Sequence, residues 1–554
     1  MTSFLAPERL QRLGPRRLLR ATERLLWHLG FDDVRNIDGS GDEGGDLIAS
    51  RQGLRWVFQS KWTVAATIDD TAVKQVDAAK AYYLADRAVV VTNARPGKGA
   101  IDHQQRLATV GVRVDFWDEP TLIKFGESVI PERVSARYEL RPYQTTAINE
   151  AREALSESSR ALVIMATGLG KTVVAGEVIA REFERRGDSC VLVVAHTTDL
   201  IAQLERALWR HLPKTVVTSL LSSDDRPPDL DGVVCATVQS AEAAVRAGWR
   251  PNFLVVDEAH HVSEDGSFQR LLDALEDIPR LGLTATPWRG DGYDIAQRFG
   301  PPVFTMGIAE GMAQGYLAQV DYRLFVDEID WDVVTQASEQ ALTIRDLNAR
   351  LFLPQRDDSV VDQLRDAWSS VIDPRAILFC RTIEHAEEMA RTLRGAGWRR
   401  AASFHDRLGR RDRDLLMSEF RDGRIPIVTA VDIFNEGVDV PDVNILCFLR
   451  VTHSRRIFVQ QLGRGLRLRP GKESVRVLDF VSDVRRVAAT LDLQRALART
   501  FDGEIERLTI PKARFTFSEP SIGSLLQEWI KDAAALEDAD EEVRLQFPEG
   551  LVPT

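Results

Sequence analysis

At 554 residues with a formal net charge of −12, the chain is long enough for three or four separately buried cores at about 150 residues each. Its acidity excludes a small basic protein that coats nucleic acid through overall charge. No run of about 18 apolar residues occurs and the amino terminus has no apolar signal core, so a cytoplasmic protein with no membrane association is expected. Cys190, Cys235, Cys380 and Cys447 each sit in an apolar strand-like run without a Cys-x-x-Cys pair, which excludes a disulfide framework and a cysteine zinc site.

In chain order, the first stretch is rich in arginine: Arg9, Arg12, Arg16, Arg17 and Arg20. It is either a local patch for a nucleic-acid backbone or the polar face of a helix, which Arg17 to Leu29 is predicted to form. Gly41 to Ala49 (GDEGGDLIA) then leads into a strand, Trp56 to Lys61 (WVFQSK). Period-two alternation places Gln59 and Lys61 on one face of that strand and Ser60 on the other. If the two segments pair as a hairpin, Asp46 approaches the same face. A carboxylate and an amide oxygen would then share a divalent metal with a scissile phosphate, while Lys61 positions or activates water. The alternative is an ordinary turn followed by a solvated lysine. Two further apolar runs follow, Ala88 to Asn93 and Gly111 to Trp117, and Pro131 to Tyr138 is polar enough for a linker.

Leu162 to Met165 is an apolar run that reads as a buried strand, followed by the turn Thr167, Gly168, Leu169 and Gly170 and by a helix opened by Lys171 and Thr172. Glycines let backbone N–H groups curl around phosphate oxygens, Lys171 adds charge at the β and γ positions of a nucleotide, and the Thr172 hydroxyl would ligate Mg²⁺. Met165 stands where the general pattern has glycine. Phe253 to Val256 is a second apolar strand, with Asp257 and Glu258 at its carboxyl end, where open α/β sheets place ligands. Asp257 is expected to hold Mg²⁺ through water and Glu258 to orient the attacking water. Near the other end of the chain, Gln460 to Arg467 (QQLGRGLR) sets Arg464 and Arg467 on one helix face, where two guanidinium groups would neutralise charge developing on a transferred phosphoryl group. These three elements describe a two-lobed nucleoside triphosphatase using ATP and Mg²⁺.

From Leu140 onward the chain resembles the superfamily 2 helicases, in particular the branch of restriction-enzyme motor subunits and XPB-like repair translocases. Leu140 to Gln144 (LRPYQ) resembles the adenine-reading element, which implies Gln144 as the base contact. Val194 to Gln203 and Ala236 to Ser240 resemble motifs that grip a nucleic-acid backbone. Leu283 to Pro287 (LTATP), with Trp288 and Arg289 after it, resembles the coupling motif. Ala376 to Arg381 and Val428 to Pro441 take the places of the fourth and fifth motifs, which implies Gly437 and Asp439 near the nucleotide and the strand. The first 125 residues or so resemble the Mrr-type branch of the PD-(D/E)xK restriction endonucleases, in which Gln replaces the acidic residue before the lysine. That resemblance implies a nuclease site of Asp46, Gln59 and Lys61, with Asp46 and Gln59 holding a metal and Glu23 at the position of the family's helix glutamate.

The expected fold class is α/β: a restriction-endonuclease-like domain over 1–130, RecA-like parallel-sheet lobes over 139–318 and 319–500, and a helical acidic tail over 501–554. Within it, Asp327 to Asp358 reads as an insertion and Ser521 to Val543 as a helix. The expected function is an ATP-dependent DNA helicase or translocase coupled to a Mg²⁺-dependent endonuclease in restriction or anti-phage defence. Its partners would be DNA, expected to be double-stranded, and proteins of the defence system. Two alternatives remain open: a repair translocase whose N-terminal domain binds DNA without cutting, and an ATP-driven switch in a larger assembly.

Overall fold

A computed structural model describes residues 3–37, 44–134, 139–263, 266–285, 294–326, 342–343, 357–380, 382–421, 423–431, 443–449, 472, 474–481, 516–517 and 544–545. By compactness the chain divides into two units, Met1–Ala161 with Thr172–Asp257 and Asp265–Gly282, and Leu162–Lys171 with Glu258–Glu264 and Leu283–Thr554. The N-terminal residues and much of the first motor half therefore belong to one unit.

The N-terminal domain is built on helix α1 (Gly14–His28) and a five-stranded mixed sheet. Pro15 starts the helix, where its missing N–H costs nothing. Gly30, at φ +76°, ends it: its N–H returns to Trp27 O and that of Phe31 to Leu26 O, a glycine C-cap that satisfies two end carbonyls. Strands β1 (Asp32–Asn36), β2 (Leu47–Arg51) and β3 (Leu54–Lys61) pair antiparallel. Helix α2 (Thr71–Tyr82) crosses over to β4 (Arg87–Thr92), and α3 (Lys98–Thr109) to β5 (Val114–Trp117), both strands parallel to β3. Leu18, Leu25 and Leu26 of α1 are fully buried in one cluster with Leu47, Ala49, Phe58 and Val89. Each such leucine stabilises the fold by about 2 kcal/mol. The strands anticipated near 88–93 and 111–117 are β4 and β5.

The first motor half opens with α4 (Pro142–Ser158) and then alternates strand and helix: β6 (Arg160–Met165), α5 (Lys171–Arg185), β7 (Val191–Ala195), α6 (Thr198–Leu208), β8 (Thr218–Leu221), β9 (Val233–Thr237), α7 (Val238–Arg246), β10 (Phe253–Val256), β11 (Arg280–Thr284) and β12 (Pro302–Met306). Its sheet order is β8-β9-β7-β10-β11-β6-β12. Strands β7 and β10 are buried at every position, the continuous apolar pattern of parallel strands covered on both faces.

The second motor half contains β13 (Gln319–Val326), β14 (Ala376–Phe379), α8 (Ile383–Gly395), β15 (Ala402–Phe404), β16 (Ile427–Ala430), β17 (Ile445–Phe448), β18 (Ser474–Val481) and β19 (Thr516–Phe517). These strands form a parallel sheet in the order β15-β16-β14-β17-β18-β13-β19. Phe379 and Phe448 stack on neighbouring strands with centroids 5.1 Å apart. The fold is thus α/β, one mixed sheet and two parallel sheets of the RecA-like kind. The four cysteines are free thiols, three of them buried, as their apolar strands imply.

Within the tail expected to be helical, the structure describes two short strands. Thr516–Phe517 extends the second motor sheet beside β13, and Arg544–Leu545 pairs antiparallel with Leu342–Thr343 of the expected insertion. The predicted helix Ser521 to Val543 lies outside the described residues, as does the rest of the insertion up to Arg356. Among the described residues no helix is long and apolar enough to cross a membrane.

Candidate active sites

The phosphate loop forms where β6 stops and α5 begins. Gly168 and Gly170 both adopt φ +92°, a left-handed conformation that a side chain would oppose, so the turn depends on glycine at both positions. Lys171 opens α5 with its Nζ 3.6 Å from Glu258 Oε1 and 3.5 Å from Met165 O. The Thr167 hydroxyl is buried without a hydrogen-bond partner among the described residues. Left-handed glycines, a lysine in loose contact and an orphaned hydroxyl are what a triphosphate would complete, so the residues present fit ATP. Thr172 follows as the second residue of α5.

Asp257 and Glu258 come directly after β10, at the carboxyl edge of the parallel sheet. Glu258 sits at φ +51°, uncommon for a non-glycine residue and typical of strained functional positions. Its Oε2 lies 3.3 Å from His260 Nδ1, and the same nitrogen lies 2.9 Å from Thr284 Oγ1. The imidazole therefore links the acid expected to orient water to the expected coupling motif, a contact that sequence spacing did not reveal. Gln144 stands in the first turn of α4, where its Oε1 accepts from the Arg141 N–H at 3.0 Å, so this oxygen closes a helix start.

In the N-terminal domain, β2 and β3 pair in the register Leu47↔Phe58. Continued by one step, that register sets Asp46 opposite Gln59, and the Asp46 N–H donates to Phe58 O at 2.8 Å. Asp46 Oδ2 accepts from Gln59 Nε2 at 3.1 Å and from the Ser60 N–H at 2.6 Å. Both side chains are buried, and Gln59 Oε1 has no hydrogen-bond partner among the described residues. A buried carboxylate beside an unsatisfied amide oxygen fits one divalent cation. Lys61, half-buried at the end of the strand, lies two residues on along the same face. No cluster of three or more His, Cys, Asp or Glu side chains suited to a metal occurs among the described residues.

Glu23 lies on α1 with its Oε1 2.8 Å from Arg206 Nε of α6. Burial pushes its carboxyl above the ordinary range, while Arg206 acts in the opposite direction. The arginines that the sequence offered as a nucleic-acid patch are engaged within the protein. Arg9 pairs with Asp231 at 2.7 Å, Arg17 with Asp225 at 3.1 Å, Arg20 with Asp225 at 2.6 Å and with Glu205 at 3.4 Å, and Arg16 donates to Asp224 O. Arg16, Arg17 and Arg20 lie on α1, the expected helix, and Arg9 lies before it. Arg464, Arg467, Gly437, Asp439, Trp288 and Arg289 lie outside the described residues.

Residues 10–125 match the family described as restriction endonuclease (Mrr catalytic), residues 137–289 the type III restriction enzyme res subunit, and residues 359–469 the helicase conserved C-terminal domain. The chain is a superfamily 2 helicase with an N-terminal Mrr-type restriction endonuclease domain. Among relatives of this helicase, the type I restriction enzyme EcoAI endonuclease subunit of Escherichia coli is 27% identical over 61% of this chain and 46% of its own. The DNA 3'-5' translocase XPB2 of Sulfurisphaera tokodaii is 25% identical over 60% of this chain and 80% of its own. In fold, the helicase is similar to the ATP-dependent type ISP restriction-modification enzyme LlaBIII bound to DNA, with a TM-score of 0.55 at 17% identity, covering 96% of this chain and 42% of the other. The chain spans 46 to 64% of the length of the first curated relatives it matches.

Proposed function

We propose that this helicase uses ATP and Mg²⁺ to move along double-stranded DNA and cuts it with the N-terminal domain, in restriction or anti-phage defence. The observation that carries the reading is the Asp46–Gln59 pair with its unsatisfied amide oxygen, present in the same chain as the phosphate loop of Lys171. Lys171 and the glycine turn hold the triphosphate, and Thr172 and Asp257 are the residues that would hold Mg²⁺, whose charge would offset that of the phosphate oxygens. Glu258 orients water for attack on the γ-phosphorus; the bond to the bridging oxygen breaks, leaving ADP and phosphate. Arg464 and Arg467 neutralise charge from the second lobe, Gln144 contacts the base, and Gly437 and Asp439 lie near the nucleotide and the strand. In the nuclease, Asp46 and Gln59 are the residues that would hold a second divalent ion, which would polarise the scissile phosphate, and Lys61 positions the attacking water.

The test is cleavage of plasmid DNA with Mg²⁺, with and without ATP, by the wild type and by Lys61→Ala. The expected result is cutting that falls about a hundredfold in the variant with ATP hydrolysis retained. No cutting by the wild type under any condition would leave a translocase that grips DNA with this domain. The loss of Glu23 to Arg206 is the observation that favours that second reading. ATP hydrolysis without displacement of a DNA triplex would point instead to a stationary switch within a complex of defence proteins.

A further inference from the structure

One face of α1 packs on the hairpin, and the other is bound to the motor. Leu18, Leu25 and Leu26 lie in the cluster that includes Leu47 and Phe58, the neighbours of Asp46 and Gln59. From the opposite face Arg17 and Arg20 reach Asp225, Arg20 also reaches Glu205, and Glu23 pairs with Arg206. Arg24, fully buried, donates to Val216 O at 2.7 Å and to Pro213 O at 2.9 Å. Trp27 receives the Arg210 guanidinium 4.5 Å above its ring. Val217 of the motor belongs to the same apolar cluster as the α1 leucines. A cavity of about 80 Å³ at this joint is lined by Arg17, Arg20, Arg24 and Glu205 together with the apolar Phe4 and Trp209.

Glu205 and Arg206 stand at the far end of α6. Its near end begins at Thr197, whose side chain accepts from the Leu200 N–H at 3.3 Å, inside the stretch resembling a nucleic-acid-gripping motif. Over these eight to nine residues the helix spans roughly 12 Å. A helix this short moves as a rod, so a displacement at Thr197 arrives at Arg206.

We propose that Arg206, a residue of the motor, is a positioning residue for the nuclease: by holding Glu23 it ties the helix beneath the Asp46–Gln59 hairpin to the helix that begins in the DNA-gripping motif. Seating of DNA on the motor thereby sets the geometry of the cutting site without a flexible tether. This rests on the proposed function for its DNA and its cleavage.

The test compares the full-length wild type with Arg206→Glu, Arg206→Gln and the charge-keeping Arg206→Lys. Three readouts are used: DNA-stimulated ATP hydrolysis, plasmid cleavage, and hydrogen exchange of residues 14–28 with and without DNA. In Arg206→Glu, ATP hydrolysis is expected to stay within about twofold while cleavage falls about tenfold and the response of residues 14–28 to DNA disappears. The milder Arg206→Gln, at a side chain 40% exposed, is expected to fall in between and to fold as the wild type does. Arg206→Lys, which keeps a cation beside Glu23, is expected to cut within about threefold of the wild type. Wild-type cutting by Arg206→Glu and Arg206→Gln, or the full loss in a folded Arg206→Lys, would overturn the assignment. If the wild type cuts nothing, the nuclease reading fails, and exchange at residues 14–28 decides the joint separately: a DNA response lost with Arg206 supports it, and no response in the wild type overturns it.

Discussion

The phosphate loop and the joint beneath α1 both set cations against carboxylates, but they do so in opposite ways. In the loop, Lys171 stops 3.6 Å from Glu258, next to a hydroxyl without a partner and two left-handed glycines. In the joint, Arg20 closes to 2.6 Å on Asp225 and Arg206 to 2.8 Å on Glu23, with backbone carbonyls taking up Arg24. A loose pair beside unsatisfied groups is ready to exchange its partner for a ligand. A tight, buried one is expensive to open, because each charge left behind would face a low-dielectric interior. Distance and satisfaction, more than the presence of opposite charges, separate a binding site from a permanent seam.

The contrast can be broken from either side. Lys171→Ala is expected to lower DNA-stimulated ATP hydrolysis by about two to three orders of magnitude and to leave the unfolding midpoint of the protein unchanged, measured by phosphate release and by thermal melting. Arg24→Ala should do the reverse. It strands the carbonyl of Val216, takes one of two donors from Pro213 O, which keeps the Val216 N–H at 3.0 Å, and removes the guanidinium 4.3 Å above Phe4, so denaturant unfolding of the unit is expected to show a loss of about 3 kcal/mol. A melting temperature equal to that of the wild type would refute a permanent seam there.

The joint also carries a pH signature. Burial, and then the nearby Arg24 charge, push the buried His28 down to about 3 from an ordinary value of 6.5. The folded state therefore keeps this imidazole neutral while the unfolded chain takes up a proton below pH 6.5. Stability is expected to be full above that pH and to decline as pH falls, by about 2 kcal/mol at pH 5. His28→Phe should flatten that part of a urea-unfolding profile; an unchanged slope would rule the residue out. The smallest effect belongs to α5. A Cβ at Gly176 would lie 2.6 Å from the His211 ring, which Glu177 holds through a 3.0 Å contact. Gly176→Ala is expected to cost about 1 to 2 kcal/mol by overpacking, and adding His211→Ala should relieve most of the steric part.

Much of the fold, and the placing of Asp46 beside Gln59 and of Lys171 near Glu258, was legible because the determinants are local. The run Phe253 to Val256 is short, apolar and rich in β-branched residues, as a buried strand is, and the acids after it then lie at the sheet's carboxyl edge. The opposition of Asp46 and Gln59 followed from a period of two and a short connection. The Ser60 N–H that completes Asp46 did not, since a backbone donor leaves no mark in a sequence. The N-terminal arginines were ambiguous for a different reason. Asp225 and Asp231, which claim Arg20 and Arg9, lie 205 and 222 residues away, and only folding brings them together. The seam residues Glu205 and Arg206 gave no signal either, because an acid beside a base on a helix is the ordinary solvated pattern.

Two residues near the carboxyl end, Thr516 and Phe517, lie beside Arg323 and Leu324 as the outermost strand of the second motor sheet. Shortening the protein to end just after Val481 would strip that cover and leave the backbone groups of Arg323 and Leu324 at the sheet edge open to pairing with another molecule. A trimmed version built for convenience is thus expected to aggregate, for a reason unrelated to nucleotide, metal or DNA.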